Sequence, residues 1–223
     1  RIPPGVPHAS TRTNATCRMF SKPIEEISPD DLRQIVSSRV VEDDRLEFKR
    51  DMYVSGDTGT RELVRDVVSF SNRRGGLIFI GIDEDDDGCA CDVGGVEVGS
   101  NDERVLSAVH ANVSPRIDGL RVRAIPVADR KEVVVIEVPA SFNGPHMTTA
   151  QGENRCWRRY DRTKAKMSVD EIRDSFLKQG EGRRFALDFV QQRQRPDQLG
   201  WPTGPTLLLQ ALPIFGDDLF DVA

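Results

Sequence analysis

Apolar and polar positions change their period several times along this chain, and each change predicts an element. "SPDDLRQIVSS" from Ser28 opens as a helix: Ser28 can cap it, Pro29 suits the first turn, and Asp30 and Asp31 suit the positive end. "RLEFKRD" (45–51) alternates, which predicts a strand with Leu46 and Phe48 on one face and Glu47 and Lys49 on the other. "TRELVRDVVSFSNRRGG" places Leu63, Val64, Val67, Val68 and Phe70 on one helical stripe, with Gly75 and Gly76 as the expected stop. "LIFIGID" is an apolar run ending in Asp83, the pattern of a strand buried on both faces.

"DEDDDGCACDVGG" then reads as a polar turn between strand segments, and "NDERVLSAVHANV" as an amphipathic helix with Val105, Leu106 and Val109 inward. "DGLRVRAIPV" and "EVVVIEVP" predict a hairpin turning at "ADRK". A long loop, "SFNGPHMTTAQGENR", leads to the strand "CWRRY" and to the helix "MSVDEIRDSFLKQ", whose Ser168 and Glu171 form a capping box. Helices and strands interleave without a repeat, and the expected class is α+β, a mixed sheet with helices packed on it. Residues 1–27, rich in Pro, Ser and Thr, read as a flexible N-terminal arm rather than a signal peptide. Residues 28–180 read as the main domain, and 181–223 as the start of a second unit or a C-terminal extension.

Composition changes this picture little. A hydrophobic content of 38% supports a real core, and no run approaches the ~18 apolar residues of a membrane span. The net charge of −5 argues weakly against nucleic acid, but the charge is segregated. "DEDDDG" is acidic, whereas "RCWRRYDRTKAK" holds six basic residues against one acid. A local basic stripe binds phosphate whatever the total. Cys17, Cys89, Cys91 and Cys156 lack zinc-finger spacing and read as reduced thiols of a cytoplasmic protein; a zinc site from Cys89, Cys91 and Cys156 or His146 is the alternative.

The chemistry centres on "VEDDRLEFKRD" (41–51). Glu47 and Lys49 share a strand face, while Glu42, five residues before Glu47, can join them only from a preceding turn. Asp83 closes a buried strand, and joins Glu42 and Glu47 if that strand neighbours theirs. Converging carboxylates repel and call for a cation, and Mg²⁺ or Mn²⁺ suits carboxylate oxygens. The other reading is a set of ordinary surface salt pairs, and both stand at this point.

"EDDRLEFKR", "VSFSNRRGGLIFIGIDE", "VVVIEVPASFNGPH" and "RRYDRTKAKMSVDEI" follow the motif order of the Schlafen AlbA-like (AlbA_2) domain family. The chain resembles a bacterial-type, single-lobe member of it over roughly residues 40–178. The resemblance implies an active site of Glu42, Glu47, Lys49 and Asp83, with Glu42, Glu47 and Asp83 as metal ligands. It implies a metal-dependent nuclease, an endoribonuclease before a DNA-cutting enzyme, working as a homodimer or larger assembly. The Cys/His zinc pattern of vertebrate members does not align here. The alternatives are a non-catalytic nucleic-acid-binding or regulatory module, or an assembly scaffold in a larger complex such as one directed against phage. The expected nucleic-acid surface is Arg50, Arg155, Trp157, Arg158, Arg159, Arg162, Lys164 and Lys166, with the aromatic ring stacking bases and the cations pairing phosphates.

Overall fold

The computed structural model describes residues 22–141, 143–178 and 184. The first 21 residues of the arm and nearly all of the 181–223 extension therefore lie outside the described residues. In chain order the elements are α1 (Pro29–Ser37), β1 (Leu46–Lys49), α2 (Asp57–Ser71), β2 (Gly75–Ile80), β3 (Asp83–Glu84), β4 (Ala90–Asp92), β5 (Val96–Glu97) and α3 (Asn101–Asn112). They continue with β6 (Val113–Ser114), β7 (Arg121–Ala128), β8 (Lys131–Pro139), β9 (Met147–Thr148), β10 (Arg155–Tyr160) and β11 (Thr163–Lys166). A last helix is described from 169 to 178, and Ser168 and Glu171 form the expected capping box.

The central sheet runs β1-β2-β8-β7, with β5 extending the β2 edge of β8. Only β1 and β2 pair in parallel, which is possible because α2 carries the chain across the sheet between them. A second sheet runs β11-β10-β9-β6, and β3 and β4 form a separate hairpin. This is the expected α+β arrangement.

Strand alternation divides the core into two layers. Leu46, Phe48, Leu77 and Phe79 join Leu32 and Ile35 of α1 on one face. Ile78, Ile80, Val134 and Ile136 join Val64, Val67, Val68 and Phe70 of α2 on the other. Ile24 and Ile27 are also buried, and Arg123 donates to both of their carbonyls, so the packed unit begins before the Ser28 cap. No helix among the described residues is long and apolar enough to cross a membrane.

The two glycines do not stop the helix. Helix α2 ends at Ser71, and Gly75 and Gly76 open β2. Asn72 follows the helix and staples two distant segments: its Nδ2 donates to the carbonyls of His146 (2.8 Å) and Trp157 (2.9 Å), and its Oδ1 accepts from the His146 amide (2.7 Å). Gly76 is required by contact, because a Cβ there would lie 2.2 Å from the Arg45 carbonyl oxygen and 2.7 Å from Phe70 Cδ1. That approach brings β2 against the turn that carries the acidic residues. Gly76→Ala is expected to cost more than about 2 kcal/mol in denaturant unfolding, since backbone rather than a flexible side chain must yield.

Candidate active site and nucleic-acid interface

The turn before β1 folds Glu42 back onto the strand. Asp43 bridges to Leu46, Val41 bridges to Cys89, and the Glu42 amide donates to the Gly88 carbonyl. The Glu42 Oε1 then accepts from the Phe48 amide at 2.6 Å, so its carboxylate lies beside the residues of β1. Glu47 and Lys49 project from the α2 side of the sheet, level with Ile78 and Ile80. That side is covered: Glu42 and Glu47 are each only 8% exposed. Salt pairs on an open strand face are therefore excluded for these two.

Glu47 is satisfied at both oxygens. Lys49 Nζ lies 2.8 Å from Oε1, and Arg159 of β10 pairs with Oε2. Burial pushes Glu47 up, but the charges of Lys49 and Arg159 outweigh it and hold its carboxyl below the usual range. Lys49 also approaches Asp66 (3.5 Å) and Glu62 (3.7 Å). Burial favours the neutral amine, yet Asp66 and Glu47 together raise Lys49 well above its ordinary value. It stays an ammonium at any physiological pH.

Glu42 is different. Burial above all, helped by the neighbouring Glu84 and Glu47 carboxylates and opposed by the Phe48 amide, raises it to about 7. Its nearest cation is Arg162, with Nε 3.8 Å away. Glu84 faces it and has one buried oxygen, Oε2, without a hydrogen-bond partner among the described residues. The acidic partner of Glu42 is thus Glu84 rather than the expected Asp83, which instead pairs with Arg50 at 2.8 Å. The register shifts at the Asp83/Glu84 step, so strand parity does not carry from β2 into β3.

One further residue was missed by the sequence reading. Asp66 is fully buried on the apolar stripe of α2, accepts from the Tyr53 hydroxyl at 2.8 Å and pairs with Lys164. A carboxylate at an inward helical position was the available signal. Burial, together with the Glu47 charge, raises Asp66 against the pull of Lys164 and Lys49.

The expected nucleic-acid surface is only partly a surface. Arg159 is 1% exposed, donates to the Asp43 and Leu46 carbonyls as well as Glu47, and lies 4.5 Å over the Phe70 ring. Trp157 is half-buried against the α2 core between Arg65 (4.8 Å) and Lys166 (5.9 Å), so it is not a free stacking platform. Both correct the sequence reading: every second residue of β10 faces α2, and basic content does not reveal which. Arg155 and Lys166 are exposed and Arg158 is half-buried. Arg162 lies across Gly88 and donates to the Asp87 carbonyl, and Arg50 is exposed beside Asp83.

His146 is fully buried with Nδ1 2.8 Å from the Pro115 carbonyl. Cys89 and Cys91 sit at the β3–β4 hairpin, remote in sequence from Cys156 on β10, and all three are free thiols. Among the described residues no group of three His, Cys, Asp or Glu side chains is arranged to hold a metal ion. Glu42 and Glu84 supply a pair, and Mg²⁺ commonly takes one or two carboxylates and fills the rest with water. The donor set fits that ion and does not fit a three-carboxylate cage.

The family model for Schlafen, AlbA_2 matches residues 42–168, from Glu42 to the cap of the last helix. The chain belongs to the Schlafen AlbA_2 family. No curated protein matches it. Similar solved structures include the following two. One is the DIP2311 protein of Corynebacterium diphtheriae (16% identity, TM-score 0.44, 70% of this chain and 30% of that one). The other is the N-terminal domain of a RecG-related protein from Nitrosomonas europaea (17% identity, TM-score 0.44, 64% of this chain and 93% of that one). The chain thus spans under a third of the Corynebacterium protein.

Two outcomes follow from this AlbA_2 site. Arg159→Ala strips the buried Glu47 Oε2 of its partner, leaving Lys49 as the remaining cation, and is expected to cost about 3 kcal/mol in denaturant unfolding, whereas Arg155→Ala should change stability by less than about 0.5 kcal/mol. Glu42 has an ordinary value of 4.5 and a folded value of about 7. Between them the folded chain holds a proton that the unfolded chain has lost, so stability falls as pH rises through that window and levels off above it. Melting temperature should decline more steeply there in the parent than in Glu42→Gln; parallel curves would show that Glu42 does not titrate in this way.

Proposed function

We propose that this AlbA_2 domain hydrolyses phosphodiester bonds of nucleic acid, RNA before DNA, at the cluster of Glu42, Glu84, Glu47 and Lys49. The observation that carries the reading is the Glu42–Glu84 pair: two adjoining carboxylates, one with an orphaned buried oxygen, beside a lysine that stays charged. Uncompensated carboxylates in contact are costly without a shared proton or a cation. Mg²⁺ or Mn²⁺ held by Glu42 and Glu84 would polarise the phosphate and make a hydroxide nucleophile accessible near neutral pH. Glu47 orients Lys49, and Arg159 keeps Glu47 ionised for that task. Lys49 cannot act as a base, because its proton is held too tightly; it offsets charge that develops on the phosphorus oxygens. Arg155, Arg158, Arg162 and Lys166 carry the backbone contacts, and a second copy supplies the opposite wall of a duplex-sized groove.

A non-catalytic binding module is the second reading. It is favoured by the absence of a three-carboxylate group among the described residues and by Arg159 and Lys49 already neutralising Glu47.

Incubation with mixed RNA and DNA pools in Mn²⁺ or EDTA separates the two readings. Cleavage in Mn²⁺ alone is expected. Glu84→Gln should abolish it together with Mn²⁺ binding by calorimetry, while Lys49→Ala should keep Mn²⁺ binding and slow cleavage roughly a hundredfold. Cleavage by Glu84→Gln at the parent rate would remove the carboxylate pair from the mechanism, and no cleavage by the parent would leave the binding module.

A further inference from the structure

Asp66 has no part in the chemistry assigned above, yet it is a fully buried carboxylate in the middle of an apolar helix face. Burial of an unpaired charge costs several kcal/mol, and one good ion pair with hydrogen bonds would offset much of it. Asp66 receives more than that. Its Oδ2 accepts from Tyr53 and faces Lys49 of β1 at 3.5 Å, and its Oδ1 pairs with Lys164 of β11. Strands β1 and β11 belong to different sheets, and Asp66 is a carboxylate that both ammonium groups reach.

The exposure is one-sided. Asp66 is 0% exposed, while the side chains of Lys49 and Lys164 keep 21% and 26%. The carboxylate they share is buried, while both lysine side chains remain partly accessible to solvent. Two ammonium groups bridged by one carboxylate stand at a spacing that the oxygens of one phosphate can also bridge. The charged groups facing them are Glu47, bound by Lys49 and Arg159, and Glu62, half-exposed and 3.7 Å from Lys49. Glu62 is the group that an entering phosphate would displace.

We propose that Asp66 is a positioning residue that holds Lys49 and Lys164 together as a two-ammonium clamp for one backbone phosphate of the nucleic acid. The clamp rests on the reading that nucleic acid binds at this cluster, but it does not require that the strand be cut.

The test uses the full chain and 12-nucleotide single-stranded RNA and DNA in EDTA, so that hydrolysis plays no part, with affinity read by fluorescence anisotropy across a salt series. Lys164→Gln should weaken binding about fivefold and reduce the salt slope by about 0.7, the loss of one phosphate contact on a single strand. Lys164→Arg should preserve both. Asp66→Asn discriminates most sharply. Removing a negative charge would by itself tighten phosphate binding, whereas losing the clamp's geometry should loosen it to the level of Lys164→Gln with a smaller slope. Tighter or unchanged binding by folded Asp66→Asn overturns the proposal.

If Asp66→Asn fails to fold, the Lys49→Gln/Lys164→Gln cycle decides. One shared phosphate gives a double loss smaller than the sum of the single losses, and full additivity overturns the clamp. No binding by the parent at low salt overturns both the clamp and the proposed function. The clamp pattern without Mn²⁺-dependent cleavage overturns hydrolysis alone.

Discussion

The buried pair between Glu47 and Arg159 is the interaction on which the rest of the site depends. It joins two sheets that otherwise meet through α2, and it places a guanidinium where a core side chain would stand. Taking two charges out of water is expensive, and their attraction repays the cost only when the remaining hydrogen-bonding groups are met. Here the guanidinium also reaches the carbonyls of Asp43 and Leu46 and rests on the Phe70 ring. One residue of β10 thereby fixes the turn that carries Glu42, the strand that carries Glu47 and the helix that carries Asp66.

With Glu47 held in this way, the charged cluster divides into two halves of different charge. On one side Glu47 and Asp66 are matched by Lys49, Lys164 and Arg159, all within ion-pair distance. On the other, Glu42 and Glu84 face each other with Arg162 only at arm's length. The first half favours an anion that can share its ammonium groups, and the second favours a proton or a cation. A phosphodiester with a divalent ion is a ligand whose two charges match the two halves.

Arg162 and Gly88 hold the outer wall of the acidic half. The guanidinium lies so close over Gly88 that a Cβ there would fall 2.0 Å from Nη2, and it donates to the Asp87 carbonyl. Asp85 in turn caps the amides of Asp87 and Cys89 and pairs with Arg39. The acidic run 83–88 is thus a built turn that supports the site as well as a solvated one.

Much of this was legible in the chain. Alternation in "RLEFKRD" separated Leu46 and Phe48 from Glu47 and Lys49, helical spacing gave the core stripe of α2, and the motif order gave the family. Those features are local, fixed by strand and helix periods and by turn chemistry. Three others were not legible, each because it depends on what lies across the fold. Arg159 and Trp157 belong to a strand rich in arginine, and only packing on α2 turns them inward. Asp83 and Glu84 are adjacent acids, and only the register shift in β3 decides which one meets Glu42. Asp66 lies on an apolar stripe, and only the arrival of Lys49, Lys164 and Tyr53 from three other segments makes a charge there tolerable. The sequence by itself determined which elements form and which of their faces are apolar. The tertiary structure decided which charges share a low-dielectric space, because that depends on distances between residues some hundred positions apart.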